Sequence, residues 1–219
     1  MNSQDGEADQ RASLIETCLR MNAEGLNQGT SGNVSVRHGN GMLITPSGVP
    51  YTSMRPDMIV PMSLDGDWSG DMKPSSEWRM HLDIYRTRAE AEAVVHVHST
   101  YATALSCLRR SIPAFHYMVG VAGGADIRCA DYATFGTAEL SEAMIEALDG
   151  RRACLLANHG QIAFGTSVER AYGLAVEVET LARQYAAACS LGEPVLIDGA
   201  EMQRILELFK TYGIQKPRS

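Results

Sequence analysis

The sequence is short of the features that mark several large classes of protein. Its five cysteines are an odd number without any C-x-x-C pair, so we expect reduced thiols rather than a disulfide framework. No apolar run approaches the roughly 20 residues that a transmembrane helix needs. The first ten residues are acidic and polar, unlike a signal or transit peptide. These absences predict a cytoplasmic protein that does not enter a membrane.

Positive charge is also scarce. The chain has 19 lysines and arginines against 26 acidic residues, a net charge of −7, which argues against a nucleic-acid-binding face. A small anionic substrate remains compatible with this charge, because local backbone N–H groups can bind an anion. Before the last few residues the only lysines are Lys73 and, much later, Lys210, so a lysine Schiff base is a poor candidate for covalent catalysis.

No repeat, low-complexity segment or Pro/Ser-rich linker divides the 219 residues, which fit one large domain. We predict this domain at residues 11–219, with residues 1–10 as a flexible tail and a mobile C-terminal tail from about residue 208. Interspersed helices and hairpin-like strands predict a sheet covered by helices, with mixed or mainly antiparallel pairing. Periodicity predicts helices near 12–24, 77–88, 102–108, 139–148, 168–190 and 202–210, and strands near 34–37, 41–45, 93–98, 153–157 and 161–165.

Three histidines are the strongest chemical signal. His96 and His98 lie two residues apart in the β-branched segment AVVHVH, and side chains at i and i+2 of a strand share a face. His159 follows the apolar segment ACLLA, where Gly160 allows a sharp turn. Three imidazoles with an open position are typical of a catalytic zinc-type site. The alternative is that these are ordinary core or surface histidines.

Glu77 follows two serines at the start of a predicted helix, and either Ser75 or Ser76 can serve as its N-cap. An acid there is stabilised by the helix dipole, or it acts as a general base beside a metal; the sequence leaves both open. His81 and His116 could hydrogen-bond a ligating group, whereas His38 is expected in a solvated hairpin turn.

Three loops rich in small residues are candidate phosphate cradles, because they offer backbone N–H groups and hydroxyls to an anion. For any one of them, a turn without a ligand is the alternative. The loops are GTSGN (29–33), TPSG (45–48) and PSSE (74–77).

Motifs in order along nearly the whole chain resemble the class II aldolase and ribulose-phosphate epimerase superfamily, and above all its fuculose-phosphate aldolase members. The resemblance implies an α/β three-layer α/β/α fold with a mostly antiparallel (mixed) central sheet. It also implies a homotetramer with active sites between subunits. The motifs are GLNQGTSGNVSVR, LITPSGVPY, KPSSEWRMH, AVVHVHSTYATALS, SIPAFHYM, CADYATFGTAELSE, LLANHGQIA and ELFKTYG.

The resemblance also implies roles for particular residues. It implies one divalent metal ion per subunit, with Zn²⁺ preferred over Mn²⁺, Co²⁺ or Fe²⁺. The metal ligands would be His96, His98 and His159, joined by Glu77, which also acts as acid/base. Tyr117 would come from a neighbouring subunit, Tyr212 from the C-terminal tail, and Phe135 would line the aldehyde side. The substrate-phosphate pocket would contain Gly32, Asn33, Ser47, Gly48, Ser75 and Ser76.

The function implied is an aldehyde-lyase that cleaves a small phosphorylated sugar. The substrate would be L-fuculose 1-phosphate, 5-deoxyribulose 1-phosphate or 5-methylthioribulose 1-phosphate, giving dihydroxyacetone phosphate and an aldehyde. One rival is a ribulose-phosphate 4-epimerase, in which Asp usually replaces Glu77. Further rivals are a methylthioribulose-1-phosphate dehydratase and a non-catalytic interaction domain, which would be expected to lack the three histidines.

Overall fold

A computed structural model describes residues 3–211. The strands form a single sheet in the order β3-β2-β1-β4-β7-β6-β5, and every neighbouring pair is antiparallel except β5 and β6. The strands are β1 (Asn33–His38), β2 (Gly41–Ile44), β3 (Val60–Ser63), β4 (Ala93–Val97), β5 (Cys129–Ala130), β6 (Ala153–Leu156) and β7 (Gly160–Gly165).

Helices cover both faces of this sheet. On β4, Ala93, Val95 and Val97 point into one core, whereas Val94 points into the other, as the two-residue period of a strand requires. The structure confirms the predicted three-layer single domain. The first core contains residues of α1 (Ser3–Ala23), α3 (Thr100–Cys107) and α5 (Val168–Leu191). The second core contains residues of α2 (Trp78–Thr87) and α4 (Ala138–Ala147). Helix α6 (Gly199–Phe209) packs in a third, smaller cluster.

The N-terminal helix is longer than predicted. Helix α1 begins at Ser3, so the segment predicted as a tail is helical from that residue onward. Long-range contacts accompany the extension: the Gln10 amide donates to the Arg37 carbonyl, and the Arg11 guanidinium donates to the Ile59 carbonyl at 2.6 Å. The flexibility of the two chain ends and the domain boundary at residue 11 stay predictions.

Two strands were not predicted because their local signals are weak. Strand β3 contains Pro61, and proline is tolerated there because β3 is the edge strand. Strand β5 has only two residues, and its pairing with β6 defines it. Among the residues that the structure describes, no helix has the length and apolar character needed to cross a lipid bilayer.

Candidate active site

His96 is held in the middle of the sheet and is fully buried. Its Nδ1 lies 2.8 Å from the carbonyl oxygen of Gln161 on the neighbouring strand β7. A carbonyl only accepts hydrogen bonds, so Nδ1 carries the proton and directs Nε2 away from the backbone. His98 lies on the same face one residue beyond β4, and its Nε2 lies 3.0 Å from that of His96.

His159 is presented by the turn between β6 and β7. The left-handed residue of this turn is Asn158, with φ of 55°, so our prediction that Gly160 makes the turn is wrong. Gly160 is needed for a different reason: a Cβ there would lie 2.5 Å from the Val97 carbonyl oxygen. The close packing of β7 on β4 therefore sets where His159 meets His98.

Glu77 is the N-cap residue of α2, and only 5% of it is exposed. The predicted serine N-cap is wrong, since no side chain caps this helix; the Ser75 hydroxyl instead accepts from the Glu77 N–H. Glu77 Oε1 lies 2.8 Å from His159 Nε2, and Oε2 lies 3.1 Å from His96 Nε2. The carboxylate thus faces the histidines rather than solvent.

The four side chains have the geometry of a metal-binding group. One ligand atom from each of Glu77, His96, His98 and His159 lies within 4.8 Å of all the others. The three imidazole rings are mutually edge-on, with centroids 4.8 to 4.9 Å apart, so their nitrogens converge. Ligands held tetrahedrally at about 2.0–2.1 Å from an ion lie about 3.3 Å from each other. Three of the contacts among these side chains are 2.8 to 3.1 Å, close to that value, and the remaining ligand-atom spacings stay within 4.8 Å, so small side-chain movements would bring all four groups onto one divalent cation.

The electrostatics of this group also suit a cation. Burial raises the pKa of Glu77, but the charge of His96 and hydrogen bonds from His159 and His96 outweigh it and hold the pKa below its usual value. Burial and the charges of His96 and His159 lower the pKa of His98 to about 4. Near neutral pH Glu77 is thus a carboxylate and His98 a neutral imidazole, as metal binding requires. Burial disfavours a charge on His96, but the charge and hydrogen bond of Glu77 outweigh it and raise the pKa of this ring, so a metal ion bound there would displace the proton on Nε2.

A cavity of about 430 Å³ adjoins Glu77, His98 and His159. Loops 45–48 and 73–77 meet along one side, where the Ser47 N–H donates to the Lys73 carbonyl and the Ser75 N–H donates to the Thr45 carbonyl, each at 3.0 Å. All three predicted cradles reach this cavity. The predicted substrate-binding residues that line it are Gly32, Asn33, Ser47, Gly48, Ser75, Ser76 and Phe135.

Two predicted residues are not brought to this cavity. Tyr117 lies in a 3₁₀ turn spanning Tyr117–Ala122 and is half exposed, with its ring 4.8 Å from that of His116. It does not line the cavity of this chain, and its contribution from a neighbouring subunit stays a prediction. Tyr212 lies outside the described residues.

Sequence reasoning missed several residues that line the cavity. Thr30, Ser31 and Pro46 belong to loops that were predicted as phosphate cradles, so the motifs already included them. No spacing of residues marks Tyr132, Ala133 and Asn158, which reach the cavity through tertiary structure. The missed lining residues are Thr30, Ser31, Pro46, Tyr132, Ala133 and Asn158.

The three remaining histidines have separate surroundings. His81 is fully buried, and its Nε2 bonds to Asn33 Oδ1 rather than to one of the four candidate ligands, so it reaches Glu77 only through Asn33. His116 accepts from the Met118 N–H instead. His38 ends β1 rather than lying in the turn, and it bonds to the Gln10 side chain at 2.8 Å while a third of its side chain stays exposed.

Comparisons with known proteins agree with this geometry. The model of the family described as the Class II Aldolase and Adducin N-terminal domain matches residues 12–186. The chain is 54% identical over 203 residues to a 5-methylthioribulose-1-phosphate/5-deoxyribulose-1-phosphate aldolase of Rhodospirillum rubrum, covering 93% of this chain and 92% of that protein. It is 50% identical to the L-fuculose phosphate aldolase of Escherichia coli K12, covering 92% and 94%. A solved L-fuculose 1-phosphate aldolase superposes with a TM-score of 0.90 at 43% identity, covering 92% of this chain and 96% of that one.

Proposed function

This chain belongs to the class II aldolase and adducin N-terminal domain family and is an aldolase, a carbon–carbon lyase, and we propose that its substrate is a ketose 1-phosphate. The products would be dihydroxyacetone phosphate and an aldehyde. The observation that carries this proposal is the convergence of Glu77 and three histidines beside a cavity lined by hydroxyl-bearing loops. The same convergence weighs against a non-catalytic interaction domain.

The metal would be held by His96, His98, His159 and Glu77. Three imidazoles and a carboxylate favour Zn²⁺, although Mn²⁺, Co²⁺ and Fe²⁺ accept the same donors. When bound, the cation supplies Lewis-acid chemistry that polarises a carbonyl and stabilises negative charge on its oxygen. The donation from His96 Nδ1 to the Gln161 carbonyl supports this assignment, because it keeps Nε2 available as a ligand.

Glu77 is the proposed acid/base. In cleavage the Glu77 carboxylate accepts the proton of the C4 hydroxyl, the C4 oxygen becomes the aldehyde carbonyl as the C3–C4 bond breaks, and the electron pair of that bond remains on the ketose fragment as an enediolate. Glu77 then delivers a proton to C3, which completes dihydroxyacetone phosphate. Its low exposure and its contacts with His96 and His159 support this role, because they place a carboxyl group where water is largely excluded.

The phosphate would bind where loops 45–48 and 73–77 meet. The residues proposed to bind it all line the cavity, namely Gly32, Asn33, Ser47, Gly48, Ser75 and Ser76. Hydroxyls near the N-terminus of α2 suit an anion, since the helix dipole favours negative charge there.

The aldehyde half would face the apolar end of the cavity. The aromatic residues Phe135 and Tyr132 line the cavity and are more than half exposed, so we assign the apolar end to them, and their exposure suits a small apolar aldehyde in a site completed by another subunit. We propose that a neighbouring subunit supplies Tyr117 and that Tyr212 helps to transfer the proton. This arrangement implies a homotetramer working in the cytoplasm, and light scattering on the purified protein tests the assembly.

The decisive experiment is a substrate panel with the metal-loaded enzyme. L-fuculose 1-phosphate, 5-deoxyribulose 1-phosphate and 5-methylthioribulose 1-phosphate are each supplied, and dihydroxyacetone phosphate is detected by a coupled assay. We expect release from at least one. Ribulose 5-phosphate is supplied as a fourth compound. Its conversion to xylulose 5-phosphate would instead identify the epimerase, and loss of water from methylthioribulose 1-phosphate without cleavage would identify the dehydratase.

A further inference from the structure

A chain of buried hydrogen bonds leads from Glu77 into the space between the sheet and α2. Asn33 Nδ2 donates to Glu77 Oε2 at 3.0 Å, and Asn33 Oδ1 lies 2.5 Å from His81 Nε2. The other ring nitrogen, His81 Nδ1, lies 2.7 Å from the Ser35 hydroxyl, which is 2.8 Å from the Tyr85 hydroxyl. Each of these five residues is at most 5% exposed.

The direction of every hydrogen bond in this chain follows from its two ends. A carboxylate only accepts, so the Asn33 amide must turn its NH₂ group toward Glu77 and its oxygen toward His81. That oxygen also only accepts, so His81 must carry its proton on Nε2. Burial, with a further effect from the charge of His96, lowers the pKa of His81 to about 3, so the ring is neutral at pH 7.

The remaining donors are then fixed. A neutral ring protonated on Nε2 has a lone pair on Nδ1, so the Ser35 hydroxyl donates to it. Ser35 has then used its only proton and accepts from the Tyr85 hydroxyl. All donors therefore point toward Glu77, an arrangement in which each bond polarises the next.

We propose that His81 is a positioning residue for Glu77: in its Nε2–H tautomer it holds the Asn33 amide in the orientation that donates to the carboxylate, and Ser35 and Tyr85 fix that tautomer. If the Asn33 amide were flipped, its oxygen would face the acceptor oxygen of Glu77, and its NH₂ group would face the N–H donor of His81. The role of Glu77 as acid/base rests on the proposed function, whereas the tautomer of His81 and the orientation of Asn33 do not.

The first test is spectroscopic and needs no turnover. Long-range ¹H–¹⁵N correlation of the ¹⁵N-histidine-labelled protein, with and without Zn²⁺, reports each ring's tautomer, and the His81→Gln variant identifies the His81 signals. We expect a neutral Nε2–H ring in both samples at pH 7. The Ser35→Ala variant, which lacks the donor to Nδ1, should raise the fraction of the other tautomer. An Nδ1–H ring or an imidazolium in the wild-type protein overturns the proposal.

The second test compares two replacements of His81. Leu fills much of the space but donates nothing, whereas Gln offers an N–H near the position of Nε2–H. We expect His81→Leu to lower kcat by about 10- to 100-fold at an unchanged Zn²⁺ content per chain, and His81→Gln to recover most of that loss. Equal rates in wild type and His81→Leu, or equal losses in both variants, contradict a positioning role.

The two tests also separate this inference from the proposed function. If no ketose 1-phosphate is cleaved by the wild-type enzyme, the proposed function fails while the tautomer measurement still decides the state of His81. If His81→Leu does not fold, the Ser35→Ala variant provides both readouts, with a shifted tautomer and a lower kcat as the supporting result. An unshifted tautomer in that variant overturns the role of Ser35.

Discussion

Asn33 and His96 lie directly opposite each other in the antiparallel ladder of β1 and β4. Residues paired in this way project from the same face of the sheet, and both side chains contact Glu77 Oε2, at 3.0 and 3.1 Å. The carboxylate is therefore held by two strands at once. A slip of one residue in this register would turn one of the two contacts to the opposite face.

Removal of the metal should abolish cleavage. Excess EDTA should eliminate the release of dihydroxyacetone phosphate, and added Zn²⁺ should restore it, because the charge on the ketose fragment would lack a Lewis acid. The melting temperature should fall as well, since a ligand present at 100 times its Kd contributes about 2.7 kcal/mol. Full activity in EDTA, with no metal found by elemental analysis, would contradict the assignment.

The Glu77→Gln variant should separate metal binding from proton transfer. Three imidazoles remain, so we expect one Zn²⁺ per chain, but exchange of the C3 proton of dihydroxyacetone phosphate should slow by about 10²- to 10⁴-fold. Exchange is followed by proton NMR in D₂O. Glu193→Gln, at an exposed carboxylate beyond α5, is the matched control and should exchange like the wild type; wild-type exchange in Glu77→Gln would remove this residue from the role.

Two glycine replacements should have opposite effects. A Cβ at Gly160 would lie 2.5 Å from the Val97 carbonyl oxygen, so Gly160→Ala should cost about 1–3 kcal/mol of unfolding free energy and weaken Zn²⁺ binding by moving His159. Gly173 lies inside α5 with open space around it, so Gly173→Ala should stabilise the protein by about 0.5–1 kcal/mol. Urea unfolding and Zn²⁺ titration measure both; a Gly160→Ala protein as stable as wild type would contradict the close approach.

Acid should destabilise the fold partly through His81. Its pKa is lowered from 6.5 to about 3, so between these pH values the unfolded chain binds a proton that the folded chain does not. The free energy of unfolding should therefore decrease as the pH falls below 6.5, by up to about 1.4 kcal/mol per pH unit from this residue.

The control for this effect is His81→Gln, which has no proton to bind at that position. Urea unfolding of both proteins in EDTA at several pH values between 7.5 and 5 isolates the difference, because other titrating groups are shared. The slope of unfolding free energy against pH should be smaller in the variant, by up to about 1.4 kcal/mol per pH unit, which corresponds to one proton. Identical slopes would mean that His81 titrates alike in the folded and unfolded chains.

Local patterns in the sequence indicated the main helices, five of the strands and the residues that the candidate site brings together. A two-residue spacing placed His96 and His98 on one face, and hydroxyl-rich turns marked the cavity, because both signals are local. The hydrogen bond from Asn33 to Glu77 was not predictable in this way, since it depends on which strands pair and in which register. The same holds for Tyr132 and for the short strand β5, whose positions are set by contacts between distant segments.

The start of α1 shows a different limit. Its first turns carry few apolar residues, so the periodic signal begins only near Leu14, yet the helix continues back to Ser3. Hydrogen bonds from Gln10 and Arg11 to distant carbonyls are tertiary interactions that a polar sequence does not reveal. The turn at Asn158 is similar, because the sequence pattern favours the nearby Gly160, whereas it is Asn158 that adopts the left-handed conformation.

The backbone pairing of loops 45–48 and 73–77 also has a consequence for substrate choice. Glu77 ends the second loop, so under the proposed function a short piece of paired backbone would set the distance between the Glu77 carboxyl group and a phosphate bound at Ser47 and Ser76. A sugar phosphorylated at its far end would present a different carbon to that carboxyl. This fixed distance would make the choice of the carbon that Glu77 protonates depend strictly on the position of the phosphate. The aldehyde end of the substrate would remain free to vary.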